Sequence, residues 1–229
     1  MKVLLLPGLD GTGKLSKYFC AALSDKFEAA PLAYPESASA FAEYAQFAAR
    51  SIMAEGDVAL VAESFSGPVA IEVLRNPPPN LRAVILVATF AKSPVPLLLK
   101  LALWVPAALM RMFSGMAVER FCLNGNNDEA LATQVKNVVQ SLPSTLIKKR
   151  LNILLSLPDD LRDVLARTEL PVFFLRPTSD RLVPEKYFAE IEKCLPHGAT
   201  HRIGGPHFLL QAQPTACAQV IGNILSRLA

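Results

Sequence analysis

The feature of this sequence that most constrains its fold is the stretch of residues 57–68, DVALVAESFSGP. Its apolar run is typical of a buried parallel strand, and the run stops at Ser64. A cluster of small residues then opens a helical pattern, in which Pro68 suits the first turn because the N–H that proline lacks has no partner there. The stretch therefore predicts a strand that turns directly into a helix at a serine.

A serine on so sharp a turn takes a strained backbone conformation that lifts its hydroxyl above the sheet. The turn is usually written G-x-S-x-G, because the strand and helix backbones nearly touch there. In this chain Ala62 and Ser66 occupy the two small positions, and Gly67 follows one residue later. An ordinary strand–helix corner explains the stretch equally well, so the rest of the chain has to decide.

The composition indicates one domain with a full core. The 229 residues are 52% apolar and 19% charged, which excludes a disordered chain and leaves little room for two domains. A net charge of +3 without a dense Lys/Arg tract argues against a nucleic-acid partner. The four cysteines lack a CxxC or other metal-like spacing, which is expected in a reduced cytoplasm. A secretory signal is not expected, because Pro7 and Gly8 interrupt the apolar start.

Apolar runs that read as strands alternate with helical patterns along most of the chain. The predicted strands are residues 2–6, 27–32, 57–63, 81–88, 171–176 and 200–203. The predicted helices are residues 15–23, 39–54, 185–193 and 215–228, together with the helix that the small residues after Ser64 open and that ends before Asn76. This alternation predicts an α/β fold: a mostly parallel sheet of about six strands with helices on both faces. Active sites in such sheets lie beyond the carboxyl ends of the strands, which is where Ser64 falls.

Residues 91–160 interrupt the alternation and are unusually apolar and helical in pattern. A membrane span needs roughly 20 uninterrupted apolar residues, and Lys100, Pro106 and Arg111 interrupt this segment. We therefore predict an inserted helical lid, with residues 1–90 and 161–229 forming the core.

The apolar face of this lid is expected to line a pocket. Leu101 and Trp104 are its predicted substrate contacts, within the segment 94–116. Plain core packing and an interfacial helix resting on lipid are the alternatives. The basic cluster at residues 148–150 is interpreted as a solvated face.

A glycine-rich loop, residues 7–13, follows the first strand and has two interpretations. Gly8, Gly13 and Lys14 match the G-x-x-x-x-G-K pattern of a phosphate cradle. The next residue is Leu15, however, so the hydroxyl that would bind Mg²⁺ is missing. The other interpretation is an oxyanion hole, since a tight turn at a strand end aims backbone N–H groups at one point.

Two further polar residues follow strands. Asp180 lies four residues past the fifth predicted strand, and His207 lies four residues past the last one. His197 looks like a turn residue, and His201 would lie at the amino end of its strand, on the wrong side of the sheet. Ser, Asp and His, each after a strand and in this order, have the chain order of the α/β-hydrolase triad.

At these motifs the sequence resembles the α/β-hydrolase superfamily over nearly its whole length. The resemblance is carried by residues 7–11 (PGLDG), 63–67 (ESFSG), 179–184 (SDRLVP) and 205–208 (GPHF). It implies that Ser64 is the nucleophile, His207 the base and Asp180 the acid that orients the base. It also implies that the amides of Leu9 and Phe65 form the oxyanion hole, and that no metal or cofactor is required.

The chain departs from the family pattern in three places. Pro7-Gly8 stands where His-Gly is common, the elbow lacks its first glycine, and the two strands that usually open the sheet are absent. The pattern is most similar to small lidded carboxylesterases, such as the pimeloyl-carrier-protein methyl ester esterases. That similarity implies cleavage of a small or medium acyl ester or thioester through an acyl-enzyme on Ser64. An acyltransferase with the same triad, a P-loop-like phosphotransferase and a fold used only for binding remain alternatives, and the oligomeric state is open.

Overall fold

The computed structural model describes residues 1–94, 103–104, 120, 123 and 129–228. Within these residues one parallel six-stranded sheet forms, with the order β2-β1-β3-β4-β5-β6. Its strands are β1 (Lys2–Leu6), β2 (Ala29–Pro31), β3 (Val58–Glu63), β4 (Leu81–Val87), β5 (Val172–Pro177) and β6 (Thr200–Ile203). The predicted fold class, an α/β protein with about six parallel strands, is confirmed.

Helices connect the strands. They are α1 (Lys17–Leu23), preceded by a 3-10 turn at Lys14–Ser16, α2 (Phe41–Met53), α3 (Ser66–Val73), α4 (Glu129–Ser141), α5 (Ser144–Leu155), α6 (Leu161–Arg167), α7 (Glu185–Glu192), α8 (Leu209–Ala212) and α9 (Pro214–Leu225). None of the helices in the described ranges has both the length and the apolar character that crossing a bilayer requires.

Several element boundaries differ by one to three residues from the sequence-based expectation, and those of β2 and α2 differ for local reasons. Strand β2 is three residues long, because the N–H of Phe27 still bonds to the Leu23 carbonyl that closes α1. Helix α2 begins at Phe41 rather than at residue 39, because the Glu43 carboxylate accepts the N–H groups of Ser39 and Ala40 and caps the first turn. These hydrogen bonds also hold the pKa of Glu43 below its usual value.

The sheet separates two apolar layers, because successive residues of a strand point to opposite faces. In β3, Leu60 and Ala62 pack in the layer that contains α2 and α3, whereas Ala59 and Val61 pack in the layer that contains α1 and α9. The six residues of β3 are all buried, as expected for a central parallel strand covered on both sides.

The strand order places a topological switch point at the carboxyl ends of β1 and β3. The chain leaves β1 toward β2 on one side, and β3 lies on the other side of β1. The loops after β1 and β3 therefore run to opposite faces and leave a crevice between them, the usual position of a ligand site in such sheets. Leu9 and Ser64 both lie at this crevice.

The helical segment before β5 is partly integrated with the core. Leu151 and Leu154 of α5 pack in the apolar layer of α2 and α3, while Val135 and Val138 of α4 form a separate cluster with Leu15. The division into a core and a lid at residues 91–160 stays a prediction. Most of residues 94–116 lie outside the described residues.

Candidate active site

Ser64 sits on a strained turn between β3 and α3. Its φ is 49°, in the left-handed region that L-residues rarely adopt. The N–H of Ser64 still bonds to the Val87 carbonyl of β4 at 2.9 Å, so the turn starts immediately after the last sheet hydrogen bond. The Ser64 carbonyl accepts the Gly67 N–H and the Thr89 hydroxyl. This bonding locks the backbone in the conformation that raises the Ser64 hydroxyl above the sheet.

The residues after Ser64 explain why small side chains are needed here. A Cβ on Gly67 would overlap the Thr89 side chain, so helix α3 can approach β4 this closely only with glycine at that position. Ser66 is fully buried, and its hydroxyl donates to the Pro7 carbonyl and pairs with the Tyr34 hydroxyl at 2.6 Å. Ser66 therefore joins this turn to the loop after β1, which a glycine could not do.

The three polar residues predicted at strand ends lie in one line of hydrogen bonds. The Ser64 Oγ is 2.9 Å from His207 Nε2, and His207 Nδ1 is 2.7 Å from Asp180 Oδ2. In the tautomer that suits both contacts, Nδ1–H donates to the carboxylate and Nε2 accepts from the serine hydroxyl. The His207 and Asp180 side chains are each 1% exposed, so water does not compete for their bond.

The Asp180 carboxylate is itself held by the backbone. Its Oδ1 accepts the N–H groups of Leu182 and Val183, both at 2.8 Å, in the loop between β5 and α7. With Oδ1 tied to its own loop, Oδ2 is left to face His207. The carboxylate orientation therefore does not depend on the histidine.

The loop after β1 supplies backbone donors beside the serine. Among the described residues, no acceptor pairs with the N–H of Leu9 or with the N–H of Phe65. Two other N–H groups of the loop are used internally: Gly11 donates to Gly8, and Thr12 donates to the Asp10 carboxylate. The N–H groups of Gly8 and Asp10 likewise have no acceptor among the described residues, so the loop offers several backbone donors near Ser64, and that of Leu9 is one of them.

A buried carboxyl group lies directly behind the serine. Glu63 is 4% exposed, its Oε2 accepts from Gln211 Nε2 at 3.1 Å, and its Oε1 has no partner among the described residues. Burial raises the pKa of Glu63 to about 7, and the nearby Asp10 adds to that effect. The Gln211 carbonyl oxygen also lacks a described partner. If Glu63 carried a proton on Oε1, that hydroxyl could donate to the Gln211 carbonyl oxygen while the Gln211 amide donates to Oε2, so that both groups would be fully paired.

An apolar cavity of about 150 Å³ opens onto Ser64 and His207. Helices α4 and α5 and the loops after β1, β5 and β6 contribute its walls. Its other lining residues are Leu9, Asp10, Leu15, Val139, Leu142, Ile147, Leu182 and Phe208.

The remaining sequence predictions fall in different places. His197 is exposed in a turn, and His201 lies within β6, with its ring 6.5 Å from that of Phe173. Trp104 is 86% exposed, and Leu101 lies outside the described residues. The substrate contacts assigned to Leu101 and Trp104 stay predictions. Over the described ranges, no group of three or more His, Cys, Asp or Glu side chains is arranged to hold a metal ion.

Sequence reasoning missed Arg150. The cluster at residues 148–150 was interpreted as a solvated face, but Arg150 is 1% exposed and donates to the carbonyls of Leu9 and Asp10. A signal was available, because Leu146, Arg150 and Leu154 are spaced four residues apart and share one face of α5. The pocket residues of α4 and α5 were missed because the lid prediction concentrated on the more apolar segment 94–116.

The whole chain is similar in structure to solved esterases. It superposes on an esterase from Thermogutta terrifontis with a TM-score of 0.82 and 19% identity, covering 100% of this chain and 90% of that one. An esterase from Exiguobacterium antarcticum superposes with a TM-score of 0.83 and 14% identity, covering 99% of this chain and 92% of that one. A bromoperoxidase from Bacillus anthracis superposes with a TM-score of 0.81 and 14% identity, covering 97% of this chain and 91% of that one.

These similarities confirm the resemblance at the level of the fold: the chain has the α/β-hydrolase fold. No protein-family model matches the sequence, and no curated protein sequence matches it either. The closer resemblance to pimeloyl-carrier-protein methyl ester esterases stays a prediction.

Proposed function

We propose that the protein is a serine hydrolase that cleaves a carboxylic ester or thioester of a small or medium acyl chain. The observation that carries this proposal is the continuous line Ser64–His207–Asp180 at the mouth of an apolar cavity, beside the backbone N–H groups of Leu9 and Phe65, which have no acceptor among the described residues. The esterases with the same fold support it. The bromoperoxidase neighbour shows that the fold alone does not determine the chemistry, so the site has to carry the argument.

In the proposed reaction Ser64 Oγ attacks the acyl carbonyl carbon while its proton passes to His207 Nε2. Asp180 stabilises the imidazolium, and the N–H groups of Leu9 and Phe65 bind the oxyanion. As the tetrahedral intermediate collapses, His207 returns the proton to the leaving alcohol or thiol, and the acyl group stays on Ser64. A water molecule then attacks the acyl-enzyme, giving its proton to His207, and collapse restores the Ser64 hydroxyl and releases the acid.

The size of the cavity favours a substrate whose apolar part is a short acyl chain. Its volume of about 150 Å³ is on the scale of an apolar cavity that holds benzene, a molecule of six carbons. Each buried methylene should contribute up to ~0.8 kcal/mol, which is a few-fold in the specificity constant per carbon until the cavity is full.

The alternatives differ in how far the site supports them. An acyltransferase would use the same acyl-enzyme, with an alcohol replacing water in the second step, and product analysis distinguishes the two. A phosphate cradle is less well supported, because the N–H groups of Gly11 and Thr12 are already bonded within the loop. We also propose a cytoplasmic enzyme whose partner is a small-molecule ester rather than nucleic acid.

The decisive experiment is labelling with a fluorophosphonate probe, which reacts with activated serines. Wild type should be labelled and should turn over p-nitrophenyl butyrate. Ser64→Ala should lose both properties and keep its melting temperature, whereas the matched variant Ser66→Ala should still be labelled. Turnover by Ser64→Ala at the wild-type rate would refute the assignment, and a wild type that is neither labelled nor active would refute the proposed function.

A further inference from the structure

Arg150 is a buried cation with an unusual set of partners. It is 1% exposed, and no carboxylate among the described residues forms an ion pair with it. Its Nη1 donates instead to two backbone carbonyls, that of Leu9 at 3.0 Å and that of Asp10. Burying a charge without a counter-ion is costly, so a buried arginine whose partners in the described part of the chain are both carbonyls calls for a specific role.

These two carbonyls belong to the loop that carries the proposed oxyanion donor. A peptide group is planar, so holding the carbonyl oxygens of Leu9 and Asp10 fixes the two peptide planes that follow Leu9. The Gly11 N–H closes the turn on the Gly8 carbonyl at 3.0 Å. The peptide that bears the Leu9 N–H is therefore confined between the end of β1 and a turn that Arg150 holds in place.

The opposite side of the loop is equally confined. A Cβ on Gly11 would overlap the Arg150 guanidinium, and the φ of Gly11 is 65°, so glycine is needed there for both space and conformation. The Gly11 carbonyl accepts the N–H of Tyr34 at 2.9 Å, and the Tyr34 hydroxyl pairs with Ser66 beside the nucleophile. The loop is thus clamped between Arg150 and Tyr34.

We propose that Arg150 is a positioning residue for the oxyanion hole. It holds the Leu9–Asp10 backbone so that the Leu9 N–H points at the oxygen of the tetrahedral intermediate. The inference rests on the proposed function. It also connects the reaction to α5, because Ile147 on the same helix lines the acyl cavity one turn before Arg150.

The test compares Arg150→Met, which removes all donors, with Arg150→Lys, which restores a cationic donor on a shorter stem. Lys149→Met is the matched control, since Lys149 lies on the same helix and its Nζ bonds to a carbonyl outside the site, that of Glu36. For each protein the fraction of active sites is titrated with the fluorophosphonate probe. Steady-state constants for p-nitrophenyl butyrate, the affinity for a trifluoromethyl ketone that forms a tetrahedral adduct with serine, and the melting temperature are then measured.

We expect kcat per titrated site to fall about 10- to 100-fold in Arg150→Met, with KM changed by less than about twofold. The affinity for the trifluoromethyl ketone should fall by the same factor as kcat/KM, because both depend on the oxyanion hole. Arg150→Lys should recover part of the loss, and Lys149→Met should behave as wild type.

An Arg150→Met protein with a lower melting temperature but an unchanged kcat per titrated site would overturn the proposal and leave Arg150 a purely structural role. If that variant does not fold, the same criterion applies to Arg150→Gln, whose amide keeps one donor group. Failure of the proposed function is distinguishable, because wild type would then not be labelled at all. Normal labelling with unchanged per-site kcat in the variants refutes the role of Arg150 alone.

Discussion

The hydrogen-bonded line Ser64–His207–Asp180 and the α4–α5 helix pair contribute to the same site in different ways. Ser64, Asp180 and His207 each lie within four residues of the end of a strand, so the register of the sheet brings them together. Residues of α4 and α5 reach the site only through packing: Arg150 is 141 residues from the loop residue it holds, Leu9. Backbone topology thus places Ser64, Asp180 and His207, whereas the α4–α5 pair lines the cavity and Arg150 holds the carbonyls of the loop after β1.

The largest loss of activity is expected when a member of the Ser64–His207–Asp180 line is removed. His207→Ala eliminates the group that accepts the Ser64 proton in the proposed mechanism, and kcat for p-nitrophenyl butyrate should fall about 10⁴-fold or more. His201→Ala is the control, because His201 lies within β6 on the strand itself rather than beyond its carboxyl end. Equal losses in the two variants would contradict the argument that the strand ends define the site.

A smaller loss of activity, selective for longer acyl chains, is expected when a cavity residue of the α4–α5 helix pair is changed. Ile147→Asp places a charge in the acyl cavity, so kcat/KM for p-nitrophenyl hexanoate should fall about 10- to 100-fold, while that for the acetate falls much less. Thr145→Asp, at an exposed position of the same helix, should leave both values near wild type. Wild-type values should rise from acetate to about hexanoate and then level. A flat chain-length series in wild type, with equal losses on both esters in Ile147→Asp, would exclude an acyl pocket at this cavity.

The smallest effect concerns stability rather than turnover. Folding raises the pKa of Glu63 from its ordinary value of 4.5 to about 7. The stability contributed by protonated Glu63 is therefore fully present below the lower value and is lost as pH rises through about 7. Glu63→Gln cannot ionise, and its amide can donate to the Gln211 carbonyl as the protonated acid would.

Relative to wild type, the free energy of unfolding of Glu63→Gln should increase between pH 5 and pH 8, by up to roughly 3 kcal/mol. Urea unfolding at both pH values measures the difference. Glu36→Gln, at an exposed turn, controls for the change in surface charge. If the free energies of unfolding of Glu63→Gln and wild type differed by the same amount at pH 5 and at pH 8, Glu63 would not be held protonated in the folded protein.

Much of the fold was predictable because its signals are local. The strand bounds of β1 and β6 agree with the expected residues, and the helix after Ser64 starts where the small residues begin. Trp104 shows the limit of such reasoning: an apolar run predicts a surface to be covered, and Trp104 itself is 86% exposed. An apolar pattern indicates that a surface is to be covered, but it does not say by what.

The sequence by itself determined the alternation of strands and helices and the order of Ser64, Asp180 and His207 behind three strand ends. That information is local, because each residue is positioned by a turn only a few residues long. Only the tertiary structure decided that Arg150 holds the Leu9 loop, that Glu63 meets Gln211 from 148 residues away, and that α4 and α5 line the cavity. Those contacts depend on how separate elements pack, and packing is a property of the assembled core rather than of any one segment.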